Sequence, residues 1–326
     1  MLHDPVRSPA ECDPQAEQTI WESDPTLLPL LRAVVADAAR IGRGARLIVR
    51  NTSGHQLVLT SPTNLRYPWR SLATAVLEHA TVAIRPGVVS APVLGSRHTR
   101  GALLLYHHPA HELAVGETVV TTFAARIETE LAAATARLSS ISGCVDGLVQ
   151  MLAAYDPDTA RHSKVVRRLA SIIGRAARLS PHELLELEWA AALHDIGKVA
   201  VTLPILHKVG PLTATEWALM RQHPTIGEKI VRSVPGLAAV ALAIRHHHER
   251  WDGTGYPDRV AGGAIPLMSR LVGIVDAYET MRAGRPYRGA FSRDEAIREL
   301  THAAGRQFDP ALLELIPALV THDIDL

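Results

Sequence analysis

In the second half of the chain, ionisable side chains recur on faces where a helix should bury its core. The run "LAAVALAIRHHHERW" carries an apolar face through Val240, Ala241 and Ile244, and the same steps extend it to His247 and His248. His246 falls at the edge of that face, because three consecutive helical residues sweep too wide an arc to point at one place. "SRLVGIVDAYE" sets Asp276 inside an otherwise apolar helical run. A lone buried carboxylate is costly, or is forced neutral, unless it is paired or metal-bound. "ELLELEWAAALHDIGK" ends an amphipathic helix at Gly197, with His194 and Asp195 adjacent in its last turn. Adjacent helical side chains diverge by about 100°, so this pair can flank one site without duplicating each other.

Two more segments follow the same logic. In "YDPDTARHSKVV" Asp158 and His162 stand at i, i+4 and share a helix face. His223 precedes Pro224 in "RQHPTIG", where proline suits the first turn of a new helix. Separate helices thus bring imidazoles and carboxylates to places where a core is expected. Buried imidazoles without a metal would each need a hydrogen-bond partner. Mixed imidazole and carboxylate sets suit Fe, Mn, Zn or Ni, and a bridging aspartate suits a multi-metal cluster.

The remaining composition narrows the classes. At 326 residues the chain has room for two domains, and plentiful Ala and Leu mark the second half as helical. A net charge of +1 gives no bulk field for nucleic acid or an anionic membrane, so an anionic ligand must meet local cations. Cys12 and Cys144 lie far apart and imply neither a disulfide framework nor a cysteine zinc site, which fits a reducing cytoplasm. The first residues hold no apolar signal-peptide core, and no run of 18 apolar residues predicts a membrane span. The expected location is cytoplasmic.

Residues 1–23 are polar and proline-bearing and read as a loose leader. A helix starts near Asp24-Pro25 in "TLLPLLRAVVADAARI", and strand-like runs follow in "ARLIVRN", "HQLVLTS", "GVVSAPVL" and "RGALLLYHH". Another helix is expected after "VGETVV". Helix, two strands, helix, two strands, helix predicts an α+β domain over 24–125. On the pairing of "VVSAPVLGSRHTRGALLLYH" with "HELAVGETVVTTFAARIETELAAA" this part resembles a GAF domain, a sensor fold whose members often bind a small-molecule ligand. The cluster His107, His108 and His111 reads as a solvated strand-end turn rather than a metal site.

Ile127, Leu131, Ala134, Leu138, Ile141, Val145, Leu148 and Leu152 alternate steps of four and three. That 3.5-residue repeat is the pattern of a coiled-coil seam. It predicts a connecting helix over 126–152, either packed on its own domain or, the favoured reading, paired with a second copy in a parallel homodimer.

From about residue 150 to 315 the chain resembles the HD-GYP family of phosphohydrolases. The pieces run in family order: "TARHSKVV", "LHDIGK", "LHKVGPLTATEWALMRQHPTIG", "HHERWDGTGYP", "IPLMSRLVGIVDAYE", "GRPYR" and "RQFDP". The resemblance implies an all-α HD-GYP domain over 153–326 that hydrolyses cyclic di-GMP with two or three divalent transition-metal ions, Fe or Mn. It implies His162, His194, Asp195, His223, His247, His248 and Asp276 as ligands, with Asp195 bridging and Asp158 available to a third ion. It also implies that Lys198, Tyr256, Arg285 and Arg288 contact the substrate, and that His194, Asp195 and Lys198 serve catalysis. Water activated by the ions would attack the phosphodiester in line, with no protein nucleophile, to give pGpG, from which a second hydrolysis would give GMP. Three positions depart from the family pattern. No acidic residue follows the HDIGK segment closely, Arg259 stands where glycine is usual, and Glu279 replaces a common aspartate. Three alternatives keep parts of this reading: a cyclic di-GMP receptor without turnover, a phosphohydrolase of another cyclic dinucleotide, and a scaffold dimer.

Overall fold

Alternating and β-branched runs build the first part of the protein into a sheet. The computed structural model describes residues 26–41, 44–51, 56–61, 83–85, 88–94, 99–106, 113–284 and 289–321. Helix α1 (Leu27–Ile41) precedes five strands, β1 (Gly44–Asn51), β2 (Gln56–Ser61), β3 (Ala83–Arg85), β4 (Val88–Leu94) and β5 (Thr99–Tyr106). They form one antiparallel sheet in the order β2-β1-β5-β4-β3. Register follows the pleat: Leu47 opposes Leu59 on one side and Leu103 on the other. All three side chains are buried in a core shared with Leu31 and Val34 of α1. The four expected strands form, and β3 was not anticipated because three residues carry no readable period. The leader, the helix expected between the strand pairs and the His107, His108 and His111 cluster lie outside the described residues.

Helix α2 (Leu113–Tyr155) runs 43 residues without interruption, starting well before the expected connecting helix. Five of its eight heptad positions are buried. Ile127, Leu131 and Ala134 are buried in the core shared with the sheet and α1, and Val145 and Leu152 are fully buried as well. A side chain already covered within its own chain cannot serve as a knob for a second copy. At those five positions the repeat reflects packing in cis, while Leu138, Ile141 and Leu148 stay partly exposed. The chain divides into two compact units between Leu138 and Ser139, inside α2. No described helix is long and apolar enough to cross a membrane.

The second unit is helical throughout: α3 (Pro157–Ala176), α4 (Pro181–Leu193), α5 (Leu203–Leu206), α6 (Ala214–Met220), α7 (His223–Arg232), α8 (Ala238–His246), α9 (Leu267–Ala283), α10 (Arg293–His302), α11 (Pro310–Leu313) and α12 (Ile316–Thr321). Local chemistry sets the starts. Asp156 caps α3 ahead of Pro157, and Ser180 with Glu183 makes a reciprocal capping box on α4. Helix α9 is central, since Leu271, Val272, Ile274, Val275 and Tyr278 are all buried around its circumference. Asp276 is thereby delivered to the middle of the unit.

Candidate metal centre

Five segments converge on one point. His162 comes from α3, and His194 and Asp195 leave the end of α4. His223 opens α7, His247 and His248 follow directly on α8, and Asp276 lies on α9. Gly197 makes the approach possible, because a Cβ there would lie 2.0 Å from the carbonyl oxygen of His223. The turn after Asp195 and the start of α7 therefore meet backbone to backbone.

The ligand atoms fall into two trios, His162 with His194 and Asp276, and His223 with His247 and His248. Asp195 stands between them. Its Oδ2 is 3.3 Å from His194 Nε2 and its Oδ1 is 3.4 Å from His223 Nε2. One carboxylate thus presents one oxygen to each trio.

Backbone carbonyls decide which ring nitrogen carries the proton. Nδ1 of His194 lies 2.8 Å from the Ala191 carbonyl, Nδ1 of His223 2.8 Å from that of Met220, and Nδ1 of His247 2.6 Å from that of Ile244. A carbonyl can only accept, so each Nδ1–H donates and each Nε2 keeps its lone pair. Yet Nε2 of His223 faces Nε2 of His247 at 3.3 Å. Nε2 of His194 is buried without a hydrogen-bond partner and faces the acceptor oxygens of Asp195 and Asp276. Lone pairs turned on one another and on carboxylates in a buried site repel. A cation between them reverses the sign, so the donor set fits metal ions.

Electrostatics separate the trios further. Burial drives His223 down to about 3 and His248 down to about 4, and it holds His247 well below the imidazole range, so all three stay neutral and able to ligate. Burial also opposes the charge of His162, but hydrogen bonds to Asp276 and Glu279 outweigh it and raise His162 to about 10. Burial opposes ionisation of Asp195 and Asp276 too. Lys198 and His194 beside Asp195, and the hydrogen bond from His162 to Asp276, hold both below the usual carboxylate range.

Residues 147–312 match the HD-domain family, just over half of the sequence. The chain belongs to the HD-domain family. It is 36% identical over 163 residues to the cyclic di-GMP phosphodiesterase response regulator RpfG of Xanthomonas campestris, covering 49% of this chain and 43% of the relative. It is 37% identical over 174 residues to a 3'3'-cGAMP-specific phosphodiesterase of Vibrio cholerae, covering 53% of this chain and 33% of that one. A cyclic di-GMP phosphodiesterase of Pseudomonas aeruginosa is 33% identical over 232 residues, 71% of this chain and 54% of the relative. The chain therefore spans between a third and about half the length of these curated relatives.

Within the HD domain the other expected site residues are placed unevenly. Lys198 reaches Asp195 Oδ2 at 2.6 Å, which puts its ammonium at the rim of the cluster. The Tyr256 ring lies 4.9 Å from that of His248, and both line a cavity of about 480 Å³ with His247 and Asp276. Burial pushes the Tyr256 phenol above its ordinary range, so it is a neutral wall of that cavity. Arg285 and Arg288 lie outside the described residues. His246 is turned away toward Glu249 and Asp258, as the helical arc predicts.

Asp158 does not join the cluster. Its side chain is 68% exposed, pairs with Arg161 at 2.6 Å, and neighbours Asp156 and His207 instead. In the first turn of α3 its carboxylate meets the guanidinium at i+3 on the solvent side, so sharing a face with His162 is not enough to reach the two trios. The structure does not bring Asp158 to the other expected ligands. Glu279 shows the opposite error. Taken from sequence only as a departure from pattern, it hydrogen-bonds His162 Nδ1 and so orients that ring toward Asp276. Its place three residues after Asp276, on the same face of α9, was the available signal.

Proposed function

We propose that this HD domain is a metal-dependent phosphodiesterase that opens cyclic di-GMP to the linear dinucleotide pGpG. The observation that carries the reading is Asp195, one carboxylate set between two imidazole-bearing trios, with the Nε2 lone pairs of His194, His223 and His247 left free by their carbonyl-bonded Nδ1–H groups. Two divalent ions, Fe or Mn, would be held by His162, His194 and Asp276 on one side and His223, His247 and His248 on the other, with Asp195 shared. When bound, such a pair supplies Lewis-acid charge and an acidified water for in-line displacement at phosphorus.

The chain's own residues do the rest. Carbonyl-fixed tautomers pre-orient three Nε2 atoms, and Glu279 holds the His162 ring, whose Nε2 proton a cation would displace. Lys198 sets a positive charge beside Asp195, where it would stabilise negative charge growing on the phosphoryl oxygens. Tyr256 lines the cavity beside His248, where it would contact the substrate. Arg285 and Arg288 are assigned to the substrate's phosphate and guanine, for which guanidinium geometry is apt. Residues 24–125 are assigned as a GAF-like sensor that regulates turnover.

A second reading, a preference for a mixed cyclic dinucleotide, draws support from relatives named as 3'3'-cGAMP-specific. The test is hydrolysis of cyclic di-GMP and 3'3'-cGAMP by protein purified without air and loaded with Fe(II) or Mn(II). A His194→Ala/Asp195→Ala double variant serves as control, with metal content measured in the same samples. Turnover of cyclic di-GMP by wild type alone, ending at pGpG, is the expected result. Binding without cleavage by a metal-loaded wild type would overturn the phosphodiesterase and favour a receptor.

A further inference from the structure

Arg221 has no role in the reading above, yet it lines the same cavity as His247, His248 and Asp276. Three arginines face that space. Arg250 is tied to Thr254 and Gln307, and Arg270 is paired with Asp309. Among the described residues Arg221 has neither a carboxylate partner nor a side-chain hydrogen bond. Its contacts are two aromatic rings, with Cζ 5.3 Å from the ring centre of Tyr256 and 5.8 Å from that of Trp217.

This arrangement leaves a definite capacity unused. Two rings within cation–π reach hold the guanidinium without taking up its N–H donors, and a guanidinium with free donors can receive a phosphate in a forked pair. The position is also held. Arg221 terminates α6, its backbone N–H bonds the Trp217 carbonyl at 2.9 Å, and the Met220 carbonyl just before it fixes the tautomer of His223. A rail of rings therefore runs from the ligands outward: His248 to Tyr256 at 4.9 Å, then Arg221, then the half-exposed Trp217. A cation at the outer end of that rail is displaced from the centre that would hold the phosphate under attack.

We infer that Arg221, aligned by Trp217 and Tyr256, is a subsite for the second, non-reacting phosphate of a dinucleotide substrate. The inference rests on the phosphodiesterase reading and specifies what that centre recognises. It predicts that the site distinguishes a diester carrying two phosphates from one carrying a single phosphate.

The test compares cyclic di-GMP with bis(p-nitrophenyl) phosphate, a one-phosphate diester, using metal-loaded full-length wild type, Arg221→Ala and Arg221→Lys. Binding of cyclic di-GMP is measured by calorimetry on the same preparations. Loss of one charge-assisted contact should weaken dinucleotide binding by roughly tenfold to a hundredfold. The kcat/KM penalty should be at least ten times larger on cyclic di-GMP than on the one-phosphate diester, and Arg221→Lys, which keeps the charge, should recover part of it. Equal penalties on both substrates would mean that Arg221 only supports the centre, and no penalty on the dinucleotide would mean that it touches nothing; either overturns the subsite. Should wild type cleave neither substrate, the phosphodiesterase reading fails on the wild-type samples alone. The calorimetric ratio then decides Arg221, and a Kd unchanged by Arg221→Ala, or no binding by wild type, overturns it.

Discussion

The two halves of the candidate metal centre solve the same problem with opposite electrostatics. The trio of His223, His247 and His248 is all imidazole, and burial keeps its members neutral. The trio of His162, His194 and Asp276 contains a carboxylate and is backed by Glu279, so His162 sits among acids that favour its charged form. One half offers a cation neutral donors in a dry setting. The other offers negative charge and keeps a proton in the cation's place. Asp195 joins them, and the difference implies that ions bind the two halves with different affinity and different pH dependence.

The largest test of this contrast removes the residue that both halves share. Asp195→Ala should cut turnover roughly a thousandfold or more and lower metal content by more than one ion's share, read by elemental analysis beside a steady-state assay. Loss of a single ion with turnover intact would mean that the trios are independent sites.

The pH response of metal-free protein separates the halves next. In the fold His223 and His248 take protons only near about 3 and about 4, whereas an unfolded chain takes them near 6.5. Between those values the unfolded state binds more protons, so stability falls on acidification, by about 2 kcal/mol per histidine at pH 5. His162, raised to about 10, has the reverse sign. Its contribution is complete below about 6.5 and is lost as pH rises through about 10. Melting curves of chelated protein from pH 5 to 10 should therefore decline on both limbs, and His162→Gln should flatten the alkaline limb alone. A variant that flattened the acid limb instead would break the assignment.

Glu279→Gln is a smaller change with a directed outcome. It leaves the trio of His223 untouched and weakens the hold on His162, so metal affinity on that side should drop by roughly tenfold to a hundredfold. A loss divided equally between two ions would mean that Glu279 does not act through His162. The smallest effect is expected at Asp158. Since its exposed carboxylate pairs with Arg161 and stands outside the trios, Asp158→Ala should change metal stoichiometry not at all and stability by no more than about 0.5 kcal/mol. A lost ion in that variant would return Asp158 to the centre.

Much of this was legible in order and spacing. Histidines and aspartates on apolar helical faces, the adjacent His194 and Asp195, and the spare His246 follow from 3.6-residue geometry and the cost of burying unpaired polar groups. The strands of the first unit followed from their period, except for β3, which is too short to have one. The heptad run was legible as a helix, but not what covers it, because a 3.5-residue stripe says that a face is covered and not by what.

The sequence alone carries the chemical inventory: an HD domain, imidazoles and carboxylates on apolar helical faces, and a helical frame to hold them. Only the tertiary structure decided which inventory members meet. It divided the ligands into two unlike trios, set Asp195 between them, gave Glu279 to His162, sent Asp158 to solvent, and left Arg221 against two rings in the shared cavity. The physical reason is range. Helical periodicity fixes direction within a few residues, whereas a ligand set is fixed by where separate helices cross, and that depends on packing between segments as far apart as His162 and Asp276.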